Sequence, residues 1–456
     1  MQRVLKKTLL LCLCFVFFMN TVAYAGILEE YQKAKLEYIN AIVCLATYND
    51  RIGQIARTEL LEEGWQIKPY KKFVNGVDTK FYFVENDAFE LEHDIYILAI
   101  TGTESFKDLA IDLNFNKIYF GGTTPEQFAE QAKKQNLTSK EPMVHRGFHK
   151  YTQTAFFSEE DDGATYGEYI ADVLKGDSKR KLYLVGHSLG GAVATLGAAR
   201  LISLGVDPAQ LEVITFGAPA VGNQAFADQF GSQINLTRVV IQGDPVRNVL
   251  QNISGGYAQF GSQEVWRRNR NVDKKRHSIT VYLDSAIRNY YDVREEAKQA
   301  GVLEERQIAN RYEGVAGGET AMVYVAPLVT KIDKEIAEDQ FYMEENYASV
   351  LRTSLPSFLI AEGQRGALSE EFAKAKQAGC KWMIIPEMTA KRISNQKHEF
   401  YVSFQEDLYA VEEQRLVGSF INANSSKEIT PIEASLQNVT SVKQQRQALL
   451  KSLSAQ

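Results

Sequence analysis

The sequence predicts an α/β protein: a mainly parallel sheet covered by helices, joined to a smaller C-terminal α/β (α+β) domain. Three observations predict it. Short apolar runs of the buried-strand kind, among them Ile95–Ile100, Leu182–Val185, Val213–Phe216 and Arg238–Ile241, alternate with helix-period stretches. The 456 residues exceed what one core ordinarily fills. A glycine-rich stretch, Gly314-Val315-Ala316-Gly317-Gly318, offers a break between two such cores.

The elements follow in order. Arg3, Lys6 and Lys7 precede the apolar stretch Leu9–Met19 and then Ala23-Tyr24-Ala25, the pattern of an export signal cleaved after Ala25. The stretch is too short for a comfortable transmembrane helix. Apolar residues at helical spacing from Leu28 to Thr47 predict an amphipathic helix, and Phe81–Val84 a first strand. Leu182–Val185 leads through Gly186 into a small-residue helix, Leu189–Leu204. Ile279–Leu283 reads as a strand, and Asp284–Tyr312 as a charged helix running to the linker.

Beyond the linker, Val323–Leu328 is expected as a strand, Asp339–Leu355 and Ser369–Ala378 as helices, Trp382–Ile385, Glu399–Phe404 and Leu416–Ile421 as strands, and Pro431–Leu453 as a closing helix. The expected division is therefore residues 1–25 as signal peptide, 26–315 as the larger domain and 320–456 as the smaller.

Apolar residues at 45% and charged residues at 24% describe an ordinary globular chain. A net charge of -6 argues against nucleic-acid binding, and the basic run Arg267–Arg276 reads as a solvated loop. Cys12 and Cys14 leave with the signal segment. Cys44 and Cys380 remain in apolar surroundings and in different domains, so no disulfide framework is expected. No phosphate-binding glycine loop and no metal-ligand cluster stand out, and neither metal nor cofactor is expected.

The chemistry centres on Gly186-His187-Ser188-Leu189-Gly190. A G-x-S-x-G between a strand and a helix is a nucleophile elbow, in which flanking glycines make room for a serine held at a sharp turn. A serine hydroxyl needs a base to take its proton, and the base needs an acid to orient it. In this fold the order is Ser, acid, His. Downstream of Ser188 stand only His277 and His398, and His398 lies past the linker, so His277 is the expected base. Asp244 ends the run from Val239 at the C-terminal edge of a strand and is the expected acid. Its rivals are Asp273, close to His277 in sequence, and Asp228, in a helix-like stretch. The oxyanion formed on attack needs donors, expected from the backbone of Leu189 and from Thr103, in the glycine turn after Ile97–Ile100.

Thr101-Gly102-Thr103-Glu104-Ser105 with Asp108 and Asp112, His145-Arg146-Gly147-Phe148 with Tyr151, Gly186–Gly191, Phe216–Asn223 and Gly243–Val246 follow one another in a set order. In this the chain resembles the class 3 lipase family of the α/β-hydrolase superfamily over about residues 28 to 290. The resemblance implies Ser188 as nucleophile, Asp244 as acid, His277 as base, and Thr103 with Leu189 as the oxyanion hole.

It further implies hydrolysis of carboxylic esters through an acyl-enzyme, on acylglycerol or phospholipid chains at a lipid–water interface. The export signal, for its part, predicts a periplasmic or extracellular protein, and its compactness points to a bacterial source. The same triad serves an acyltransferase or a thioesterase, and a vestigial hydrolase acting as an envelope binding module is the alternative from another class. Asn114 to Met143, with Phe115, Ile118, Tyr119, Phe120 and Phe128, is expected to form a lid. Residues 320–456 are expected to dock an envelope partner or the catalytic domain.

Overall fold

The apolar runs assemble side by side. The computed structural model describes residues 25–48, 51–62, 64–74, 76–86, 95–102, 116–159, 163–246, 256–267, 276–303, 323–355, 358–393, 396 and 398–454. The signal segment to residue 24, the glycine-rich linker and most of the basic run lie outside them. Of the described residues, 39–267 and 276–285 form one compact unit, and 25–38 and 286–454 the other.

The first unit is built on a seven-stranded sheet. In chain order its strands are β1 (Gln66–Val74), β2 (Val77–Glu85), β3 (Ile95–Ile100), β6 (Lys181–His187), β7 (Leu211–Phe216), β8 (Asn235–Ile241) and β9 (Ser262–Trp266), which is also their spatial order. β1, β2 and β3 pair antiparallel, whereas β3 through β9 pair parallel, with Ile100 opposite Gly186 and His187 opposite Phe216. A small ribbon of β4 (Lys117–Tyr119) and β5 (Met143–His145) stands apart. Ile97, Leu98, Leu184, Val185 and Val213 are buried, as strands covered on both faces require.

The helices of this unit are α2 (Arg51–Glu62), α3 (Pro125–Gln131), α4 (Arg146–Phe157), α5 (Tyr166–Lys175), α6 (Leu189–Ser203) and α7 (Gln224–Phe230), while α1 (residues 25–46) and α8 (Ile279–Gln299) each contribute residues to both units. α6 is buried along nearly its whole length because Gly190, Gly191, Ala192 and Ala194 let it lie close to the sheet. Among the described residues no helix is long and apolar enough to cross a membrane.

Two expectations change. Ile279–Leu283 is the first turn of α8 and not a strand. A short apolar run cannot tell a strand from a buried helix by periodicity, and tertiary packing decides: Val281, Tyr282 and Leu283 are all buried in the helix. The segment expected as a lid, whose Asn114 and Phe115 lie outside the described residues, sends Ile118, Phe120 and Phe128 into the core, while most of residues 129–140 are exposed. Phe120 packs edge-on against Phe226 and Phe230. The buried guanidinium of Arg200, on α6, lies 3.6 Å from the Phe120 ring centre and 4.0 Å from that of Phe128, and donates to the Gly121 carbonyl and to His149 Nε2. This cation between two rings pins the segment to α6.

The second unit has its own sheet. β10 (Val323–Val325) lies parallel to β12 (Phe358–Ile360) and to β13 (Trp382–Arg392), and β11 (Val329–Ile332) is also parallel to β13. β14 (Phe400–Ala410) and β15 (Arg415–Ser425) extend it antiparallel. Phe400, Val402, Phe404 and Leu408 alternate inward, and α11 (Pro431–Ser454) packs on that face beside α9 (Gln340–Ser354). α10 (Leu368–Gln377) packs its Phe372 and Ala375 with Tyr324, Cys380 and Met383. Under α11 the buried Arg446 is paired with the Glu406 carboxylate, Nη1 2.5 and 2.6 Å from its two oxygens, an enclosed ion pair of structural character.

Candidate active site

The sequence Gly186–Gly191 makes the turn from β6 into α6. Ser188 sits there with φ +57° and ψ -122°, a conformation that costs a residue with a Cβ about 1–3 kcal/mol. Its backbone N–H donates to the Phe216 carbonyl at 2.9 Å, so the neighbouring strand enforces the turn. A Cβ on Gly191 would meet the Ala218 methyl and the Gly186 carbonyl at 2.8 Å each, which is why the first turn of the helix needs a glycine at this position. Leu189 opens α6, and its N–H belongs to the first-turn donors that have no partner within a helix. The positive end of the α6 dipole adds to what such a donor offers an anion.

The other two residues come from strand and helix ends. Asp244 follows β8, buried, and its Oδ1 accepts the Val246 N–H at 2.8 Å. His277 lies two residues before the start of α8, where Val281 donates back to the Ser278 carbonyl. His277 Nδ1 is 2.8 Å from Asp244 Oδ2 and Nε2 is 2.8 Å from Ser188 Oγ. With the carboxylate accepting, Nδ1 carries the hydrogen and Nε2 is left with a lone pair facing the serine. The rival Asp228 lies in α7, where it accepts from Gln224, and Asp273 is outside the described residues. Thr103 is also outside them. His398 belongs to the second unit.

Three further residues, none of them given a role from the sequence, shape the site. Tyr282, one turn into α8, donates to Asp244 Oδ2 and accepts the Ile241 N–H at 3.3 Å. Gly217, at φ +62°, leaves the space over this group: a Cβ there would come within 2.6 Å of Tyr282 Oη, 2.8 Å of Asp244 Oδ2 and 3.1 Å of His277 Nδ1. His187 bonds Tyr48 Oη through Nδ1 at 2.7 Å and the His277 carbonyl through Nε2 at 2.8 Å.

Other motif residues are structural. His145 caps α4, accepting from the Gly147 and Phe148 N–H groups, and burial with Lys117 nearby lowers its pKa to about 4. Tyr151 exchanges hydrogen bonds with the Lys80 backbone of β2. Asn223 caps α7 and accepts the Met143 N–H, tying β5 to the loop after β7.

Taken together, the arrangement can generate a nucleophilic alkoxide at Ser188, accept its proton and hold the resulting imidazolium against a carboxylate. The family model described as Lipase (class 3) matches residues 97–252. The chain is 40% identical over 83 residues to Lipase ZK262.3 of Caenorhabditis elegans, which is 17% of this chain and 24% of that protein. It is 38% identical over 97 residues to secreted mono- and diacylglycerol lipase A of Penicillium cyclopium, 21% and 30% of the two chains. Over 106 residues it is 32% identical to phospholipase A1-II 4 of Oryza sativa, 20% and 26% of the two chains. It thus spans about a quarter to a third of the length of these relatives. Among solved structures, lipase II from Rhizopus niveus is 22% identical with a TM-score of 0.40, over 51% of this chain and 80% of that one.

Proposed function

We propose that this protein is a serine hydrolase that cleaves carboxylic esters of lipids, a reading supported by the match of residues 97–252 to the family model described as Lipase (class 3). The observation that carries the proposal is the unbroken hydrogen-bond chain Ser188 Oγ, His277 Nε2, His277 Nδ1, Asp244 Oδ2, with both contacts at 2.8 Å. Ser188 attacks the ester carbonyl carbon while His277 Nε2 takes the hydroxyl proton. The tetrahedral intermediate collapses as His277 gives that proton to the departing alcohol. Water, deprotonated by the same nitrogen, then attacks the acyl carbonyl, and His277 returns that proton to Ser188 Oγ as the acid leaves. Asp244 keeps Nδ1–H oriented and stabilises the imidazolium, and the Leu189 N–H, with Thr103 as the second donor, receives the oxyanion.

The substrate class follows from the relatives: acylglycerols and phospholipid acyl esters are what those proteins are named for, and we extend both to this chain. Export rests on the pattern of residues 1–25 and on relatives named as secreted. We take residues 26–315 as the hydrolase domain and give residues 320–456 a binding role. Hydrolysis of p-nitrophenyl esters from acetyl to palmitoyl, beside Ser188→Ala, tests the proposal. Serine-dependent turnover supports it; turnover that survives in Ser188→Ala, or none with any ester, overturns it.

A further inference from the structure

We infer that His187, the residue before the nucleophile, is a positioning residue that together with Tyr48 holds the base by its backbone. The inference rests on the hydrolase reading above. His187 Nε2 lies 2.8 Å from the His277 carbonyl oxygen, which can only accept, so Nε2 carries a hydrogen. In the neutral ring Nδ1 then has the lone pair, and the Tyr48 hydroxyl 2.7 Å away must donate to it. One tautomer satisfies both bonds. Tyr48 is itself held, since Arg57 donates to its carbonyl at 2.8 Å. α8 anchors the chain just after His277, and His187 anchors the His277 carbonyl, so the imidazole swings from a fixed backbone.

The titratable groups against His187 among the described residues are Tyr48, His277 and Tyr282, with ring centres 6.2, 4.7 and 5.7 Å away. Burial, and then the neighbouring His277, holds the pKa of His187 far below the usual histidine range. When His277 takes the serine proton, His187 stays neutral. It keeps its hydrogen bonds to the His277 carbonyl and to Tyr48 while the imidazolium forms.

The test uses the full chain and the rate at which a p-nitrophenyl alkylphosphonate labels Ser188, with ester kcat and KM beside it. His187→Gln places an amide N–H near the lost Nε2–H and should keep labelling within about threefold of wild type, whereas the shorter His187→Asn should lose about tenfold or more in kcat with KM little changed. Tyr48→Phe, which removes a single hydroxyl, should also lower kcat and not KM. In wild type, ¹⁵N spectra should show His187 as the Nε2–H tautomer, without titration, from about pH 5 to 9. Equal losses in the Gln and Asn variants, or titration of His187 in that range, would overturn the inference. Should both His187 variants fail to fold, the wild-type spectra and Tyr48→Phe decide it. Failure of wild type to be labelled at all would instead sink the hydrolase reading.

Discussion

Tyr282 Oη and His277 Nδ1 share one acceptor: Asp244 Oδ2 lies 2.5 Å from the first and 2.8 Å from the second. The Val246 N–H occupies the other carboxylate oxygen, so three donors fix this side chain. Charge-assisted bonds of this kind contribute about 1.5–3 kcal/mol each. Removing one should loosen the acid without removing it. Tyr282→Phe is expected to lower kcat by about tenfold, with KM little changed. Steady-state kinetics on one soluble ester checks this, and an unchanged kcat would show that the carboxylate needs no such support.

Asp244→Asn should be far more damaging, because an amide can present an N–H to Nδ1 and turn the imidazole to the wrong tautomer. A loss of roughly four orders of magnitude in kcat is expected. A loss below about tenfold would point to another acid.

Gly217→Ala is predicted to cripple the site sterically. Its methyl would fall 2.6 Å from Tyr282 Oη and 2.8 Å from Asp244 Oδ2 on a backbone already at φ +62°. Overpacking and strain together should cost about 2–4 kcal/mol of stability and most of the activity. Thermal melts with ester assays check both, and a variant as stable and active as wild type would contradict the described packing.

Acid should weaken the first unit through its buried histidines. Burial, with Arg200 beside it, lowers the His149 pKa to about 3, and burial with Lys117 lowers that of His145 to about 4. Below the ordinary histidine pKa of about 6.5 the unfolded chain takes up protons that the folded chain refuses. Stability is therefore complete above that value and falls as pH drops towards 4, by up to roughly 1.4 kcal/mol per pH unit for each group. Melting temperatures between pH 7.5 and 4.5 should show the fall, and His149→Gln, which keeps an acceptor for Arg200, should flatten it. An identical slope in that variant would contradict the assignment.

Much of this architecture is legible in the residues. β3, β6, β7 and β8 coincide with apolar runs because strands covered on both faces must be apolar throughout, and the elbow announces itself through glycines that the turn sterically demands. β1 escapes notice because Gln66, Lys68 and Lys71 face solvent at the edge of the sheet, leaving little apolar signal. Ile279–Leu283 misleads because a buried helix start and a buried strand use the same residues. Tyr48 and His187 are 139 residues apart, and Tyr282 approaches Asp244 across 38 residues. No local pattern joins such partners; only the packed sheet does. The aromatic residues of 118–128 look like a lid in sequence because nothing there shows that Arg200 and Phe226 receive them.

The central claim is that Ser188 is a nucleophile activated by His277. Treat the full chain with an alkyl p-nitrophenyl phosphonate and map the adduct by peptide mass spectrometry, with Ser188→Ala and His277→Ala alongside. One phosphonyl group is expected on the peptide carrying Ser188, none in Ser188→Ala and slow labelling in His277→Ala. An unlabelled wild type, or an adduct on another residue, would contradict it.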